Sequence, residues 1–145
     1  MKSFVIDASV VIKWIFPNRD EEEHIPQALH LLRAIKQDSI KILQPPHWLA
    51  EAAAVIVRLE PKIAEEAINV LTNMDFSILD IPEIYQIACE LSARFKHHLF
   101  DTLYHAVAMY SHNTQFITAD DIYYKKTAKQ GSIIRLADFH ALELS

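Results

Sequence analysis

The sequence has a single glycine, Gly131, a single cysteine, Cys89, and no hydrophobic run of membrane-spanning length. With so little glycine there is no Gly/Ser linker between modules, and neither an internal repeat nor a low-complexity tract is present. One cysteine excludes an intramolecular disulfide and a thiolate zinc site, so the reducing cytoplasm is the expected compartment. Near the N-terminus the only apolar stretch is Phe4-Val5-Ile6, and no later segment approaches the run of about 20 apolar residues that a bilayer requires. Neither an export signal nor membrane embedding is expected. Positive charge is short as well: 14 Lys and Arg against 19 Asp and Glu give a net charge of −5. That balance excludes the sequence-independent electrostatic grip a basic protein exerts on nucleic acid. A nucleic-acid substrate would have to be met by metal ions and a local basic patch.

What is present is the material of a core. Of the 145 residues 51% are hydrophobic and 23% charged, a composition far from that of disordered chains and sufficient to enclose one sizeable core. The expected organisation is one helix-rich domain over residues 1–145.

Short β-branched and aromatic runs alternate with helical periodicity. Lys2 to Ile6 reads as a strand buried on both faces that stops at Asp7-Ala8-Ser9, where a loop is expected. Ile25, Ala28, Leu29, Leu32 and Ile35 recur at helical spacing over residues 20–35, with Asp20 and three glutamates suited to the helix N-terminus. Ile40 to Leu43 is a second strand, ended by Pro45-Pro46, and Trp48, Ala52, Val55 and Leu59 stripe the next helix. A further helix carries Ile63, Ala67, Val70 and Leu71. Phe76 to Leu79 is a third strand, and after Pro82 a helix runs to about Lys96, with Cys89 in it as a small, partly buried residue. Asp101 to Tyr110 is apolar nearly all round, as in a helix enclosed by protein. Phe116 to Thr118 and Ile133-Ile134 are the last strands, separated by a short basic helix from Asp121 to Lys129. Strands alternating with helices predict an α/β fold with a five-stranded, mainly parallel sheet flanked by helices.

In open parallel sheets ligands gather beyond the carboxyl ends of the strands, and in this chain those positions are acidic. Asp7 follows the first strand, Asp120 follows the fourth through Thr118-Ala119, Glu51 lies early in the helix after the second, and Asp101 opens the enclosed helix. Taken singly, Asp101 and Asp120 read as helix N-caps and Asp7 as a turn former. Glu51 borders an apolar stripe, where an unpaired carboxylate is disfavoured unless it reaches solvent. Together they would form a cluster of like charge, costly unless a cation balances it. Oxygen-only ligation favours Mg²⁺ or Mn²⁺, ions that activate water against a phosphodiester.

The segment from Val5 through Asp7 and Ser9 to Trp14 closely resembles the opening of PIN-domain proteins, especially toxins of VapC type from prokaryotic toxin–antitoxin pairs. Leu43-Gln44-Pro45-Pro46 with Trp48-Leu49-Ala50-Glu51, Phe100-Asp101-Thr102-Leu103-Tyr104-His105 and Phe116-Ile117-Thr118-Ala119-Asp120 resemble the family's three further acidic blocks, in order along the chain. The resemblance implies a PIN-like three-layer sandwich and cleavage of RNA by a Mg²⁺- or Mn²⁺-dependent endoribonuclease. It also implies an inhibiting antitoxin docked near the acidic crevice, and a homodimer. By position Asp7, Glu51, Asp101 and Asp120 inherit the catalytic site, with Asp7 and Asp101 as direct metal ligands and Ser9 and Thr118 in support. Asp121, beside Asp120, is the reserve for the fourth acid. Where many relatives carry Asn three residues after the helix Glu, this chain has Ala54, which removes one positioning side chain.

Lys13, Lys125, Lys126 and Lys129 either contact phosphates at the crevice rim or line a solvated face. Trp14, Phe16 and Trp48 pack in a core or interface, with base stacking as the competing use. His97-His98 are too few for a transition-metal site and His105 reads as structural, so no histidine receives a catalytic role. Among rivals, the phosphatase pattern needs an Asp where Ser9 stands, and a receiver domain needs an acidic pair where Met1-Lys2-Ser3 precede the strand. A DNA-directed structure-specific nuclease would carry inserted arches or clamps that so short a chain lacks. The remaining alternative is a PIN-fold module that binds RNA or a protein partner without turnover.

Overall fold

The apolar runs pair in a single direction. In a computed structural model, which describes residues 1–140, β1 (Ser3–Ile6), β2 (Lys41–Gln44), β3 (Ser77–Ile78), β4 (Thr114–Thr118) and β5 (Ile133–Arg135) form one sheet in the order β3-β2-β1-β4-β5. Every neighbouring pair is parallel, so the sheet expected to be mainly parallel is wholly so. Parallel neighbours need crossover connections, and these are helices: α1 (Ala8–Ile15), α2 (Ile25–Lys36), α3 (Trp48–Leu59), α4 (Ala64–Thr72), α5 (Pro82–Phe95), α6 (Leu99–Tyr110) and α7 (Asp121–Thr127). None of them is long and apolar enough to cross a membrane. The last five residues of the chain lie outside the described part.

From β1 the chain winds outward through β2 to β3, then returns to β4 and β5 on the other side of β1. Right-handed crossovers in opposite directions place helices on opposite faces of a sheet. Accordingly α1 packs on α2 and α3, and α3 on α4, while α6 packs on α5 and reaches β1, β2 and β4. β1 is covered from both sides: Phe4, Val5 and Ile6 are fully buried. The reversal of winding between β1 and β4 leaves a crevice beyond their carboxyl ends.

Four local expectations are corrected. No loop follows β1, because α1 begins at Ala8 with Asp7 in extended geometry at its N-cap. Val10 to Lys13 are all buried, so the segment has no polar face from which a helical period could be read. α2 starts at Ile25 rather than Asp20. Pro26 suits the first turn of a helix, and Glu21 and Glu22 are occupied by Arg19 and Lys13 instead. β3 shrinks to two exposed residues at the sheet edge. Cys89 is exposed, not partly buried.

Candidate metal centre

Asp7 is the first residue past the central strand, where main-chain pairing gives out. Gln44, at the end of β2 and fully buried, supplies the missing partner: its amide accepts from Ile6 N at 3.0 Å and donates to Ile6 O at 2.8 Å. This side chain holds the strand end that delivers Asp7 into the crevice, and nothing in sequence periodicity marks it. The Asp7 carboxylate accepts from the Ser9 hydroxyl on one oxygen and from Thr118 Oγ1 at 2.6 Å on the other. Ser9 Oγ and Thr118 Oγ1 in turn accept from the backbone N–H groups of Ala119 and Asp120, both at 3.0 Å. The ends of β1 and β4 are thereby tied through their polar residues. Burial pushes the Asp7 carboxyl up to about 7; the two hydroxyls oppose the rise, and the charges of Asp101 and Asp120 add to it.

The other acids are fixed from separate elements. Asp120 caps α7, its Oδ1 accepting from Tyr123 N at 3.1 Å, so capping and site membership coexist in one side chain. Glu51, in the first turn of α3, accepts from the Tyr104 hydroxyl at 2.6 Å. Burial, and after it Glu51, hold that phenol far above its usual range, which keeps it a donor. Asp101 sits in the first turn of α6, whose N-cap is His98 rather than Asp101 itself. Its Oδ2 lies 2.9 Å from His97 Nε2.

His97 is the residue that sequence reasoning missed. Lys96 closes α5 in the left-handed conformation (φ 52°), which turns the chain so that the His97 ring stands edge-on to Tyr123 at 4.8 Å. Lys126 Nζ lies 3.1 Å from His97 Nδ1. Since an ammonium only donates, Nδ1 accepts and Nε2 carries the proton given to Asp101. One ring nitrogen of His97 and one carboxylate oxygen each of Asp101 and Asp120 all lie within 4.8 Å of one another. The signal available in the sequence was the spacing of four between His97 and Asp101, but these residues lie in a loop and the following helix, where helical periodicity does not apply.

A cavity of about 270 Å³ is lined by Asp7, Ala8, Ser9, Glu51, Ala54, Val55, Asp101 and Asp120. All four predicted acids meet there, and Asp121, which is exposed, does not line it. Among the described residues no Lys or Arg lines it, so its negative charge is not balanced by a lining cation. Four carboxylates from four elements, one of them raised to about 7 by burial, are a donor set suited to a hard divalent cation. A PIN domain family model matches residues 4–130. The chain belongs to the PIN domain family. No curated protein matches it. PIN domains are generally metal-dependent nucleases, so membership supports, at the level of the family, a hydrolase that acts on nucleic acid.

The remaining predicted residues divide. Lys125, Lys126 and Lys129 are exposed, and Lys126 reaches the site through His97. Lys13 is buried and paired with Glu22 at 2.8 Å, so its ammonium is already engaged. Trp48 is buried against Phe76, Trp14 donates to the Ala28 carbonyl at 2.8 Å, and Phe16 packs on the core. Phe100, next to Asp101 in sequence, is an exposed aromatic stacked on His98. His105 is buried between the Tyr123 hydroxyl and the Gly131 carbonyl, and burial lowers its pKa, as befits a structural residue. Ala54 lines the cavity together with Glu51 and Val55.

Proposed function

We propose that this PIN domain is an endoribonuclease dependent on Mg²⁺ or Mn²⁺ and the toxin of a VapC-like toxin–antitoxin pair. The observation that carries the reading is the convergence of Asp7, Glu51, Asp101 and Asp120 on a cavity without a cationic side chain. Asp7 and Asp101 hold the ion directly, with Asp120 and Glu51 completing the acidic set. The chemistry a hard divalent cation supplies when bound there is activation of water and neutralisation of charge at a phosphodiester. Ser9 and Thr118 fix both oxygens of Asp7, His97 fixes Asp101, and Tyr104 fixes Glu51, so the ligands are oriented before any ion arrives. Lys125 and Lys126 at the rim attract the RNA backbone, which the net charge of −5 would otherwise repel.

Phe100, next to Asp101 in sequence, is 50% exposed, and Ile122, two residues after Asp120, is 70% exposed. Such apolar side chains beside a charged crevice favour an antitoxin docking there, and the resemblance to the toxins adds a homodimer. The reading is tested by incubating total RNA with purified protein in Mg²⁺, Mn²⁺ or EDTA, beside the Asp7→Asn variant. Discrete metal-dependent fragments absent from the variant are expected. Absence of cleavage with every metal would leave a PIN-fold module that binds RNA or protein without turnover.

A further inference from the structure

The acidic cavity adjoins a second one, of about 430 Å³ between α1 and α3. The two share Ala8, Ser9 and Val55, and the lining of the second includes Lys13, Arg19, Glu22 and Arg58. We propose that this second cavity is the track on which one nucleic-acid strand lays the phosphates next to the scissile bond, gripped by Arg58 and Arg19. The proposal rests on the reading of the acidic cavity as the cutting site.

Glu51, Ala54, Val55 and Arg58 stand at helical spacing, so one face of α3 runs from the acidic end to a basic one. Seven residues of helix span about 10 Å, the axial length of about three stacked nucleotides. The cations along this track differ in what they have left to give. Lys13 is buried and taken by Glu22 at 2.8 Å. Arg19 pairs with Glu21 through one terminal nitrogen at 3.2 Å, while its Nε is buried without a hydrogen-bond partner. Arg58 is exposed and has no ion-pair partner among the described residues. A guanidinium binds phosphate through paired N–H donors, and both Arg58 and Arg19 line the cavity that a strand leaving the acidic one would enter. The second cavity, at about 430 Å³, has the capacity of a small-molecule pocket. Small side chains at Ala8, Ser9 and Ala54 leave the passage between the two open.

The test measures anisotropy of a fluorescein-labelled single-stranded RNA decamer with the metal-free full chain in EDTA, over a range of low salt concentrations. It compares the parent with Arg58→Ala, Arg19→Ala, Arg58→Lys and, as a control at the opposite end of the sheet, Lys41→Ala. Cleavage with Mn²⁺ is followed in parallel. Each arginine-to-alanine substitution is expected to weaken binding by about fivefold to tenfold and to lower the log–log salt slope by about one. Arg58→Lys should keep the slope and lose part of the affinity, and Lys41→Ala should match the parent. In Mn²⁺ the alanine variants should raise KM and leave kcat near that of the parent. A parent that binds and cleaves while Arg58→Ala and Arg19→Ala behave like it would overturn the track and leave the nuclease standing. A parent that neither binds nor cleaves removes both. Equal binding of double-stranded RNA, or displacement by a polyglutamate peptide as effective as by RNA, would overturn the assignment to a single nucleic-acid strand.

Discussion

Replacing Asp7 with Asn should make the metal-free protein more stable while destroying its response to divalent cations. The Asp7 carboxyl ordinarily titrates at 3.8 and is raised to about 7 in the fold, chiefly by burial. Below pH 4 folded and unfolded chains both hold the proton, and the group has no effect on stability. Between pH 4 and 7 the unfolded chain releases it while the folded chain retains it, so the fold loses stability as pH rises. Above about pH 7 the loss is complete, and at about 1.4 kcal/mol per pH unit it amounts to about 4 kcal/mol. Asn does not titrate, but its single carbonyl oxygen accepts from only one of Ser9 and Thr118, at a cost of about 1 kcal/mol. In EDTA the variant should therefore be about 3 kcal/mol more stable than the parent at pH 8 and about 1 kcal/mol less stable at pH 4. For a chain of this size each kcal/mol shifts Tm by about 3–4 °C. Urea unfolding at the two pH values measures the difference directly, and Mn²⁺ added at pH 8 should raise the stability of the parent alone. A stability difference independent of pH would refute the argument, because Asp7 would then titrate as an ordinary carboxylate with no charge held in store for a cation.

His97→Ala should reduce Mn²⁺ affinity by roughly tenfold to a hundredfold with little change in urea stability, because partners that orient a ligating carboxylate act on affinity; titration calorimetry with the parent and variant checks this. Gln44→Leu leaves the buried N–H and C=O of Ile6 unpaired, a loss of about 3 kcal/mol at about 1–3 kcal/mol per orphaned group. Urea denaturation reads that loss, and unchanged stability would remove Gln44 from the support of Asp7.

Sequence reasoning reached the strands and the acids because both depend on local rules. A strand buried on two faces must be continuously apolar, as Phe4-Val5-Ile6 is, and a parallel sheet must expose its ligand-binding residues just past such runs, where Asp7 and Asp120 stand. The boundary errors came from the same rules failing. α1 lost its period when Val10 to Lys13 were all buried, and the acidic residues before α2 found partners in Lys13 and Arg19 rather than the helix end.

A mainly parallel α/β chain, with Asp7 and Asp120 past strand ends and Glu51 and Asp101 early in helices, is legible along the chain alone, since hydrophobic period and residue type are properties of neighbours in sequence. Only tertiary structure decided that these carboxylates share one cavity, that Asp120 rather than Asp121 enters it, that Gln44 replaces main-chain pairing at Ile6, and that His97 and Lys126 reach Asp101. Tertiary structure also decided that Lys13 is spent on Glu22 while Arg58 has no ion-pair partner among the described residues. Each of these is a contact between segments far apart or differently oriented in the chain, and the packing of the whole core sets such distances.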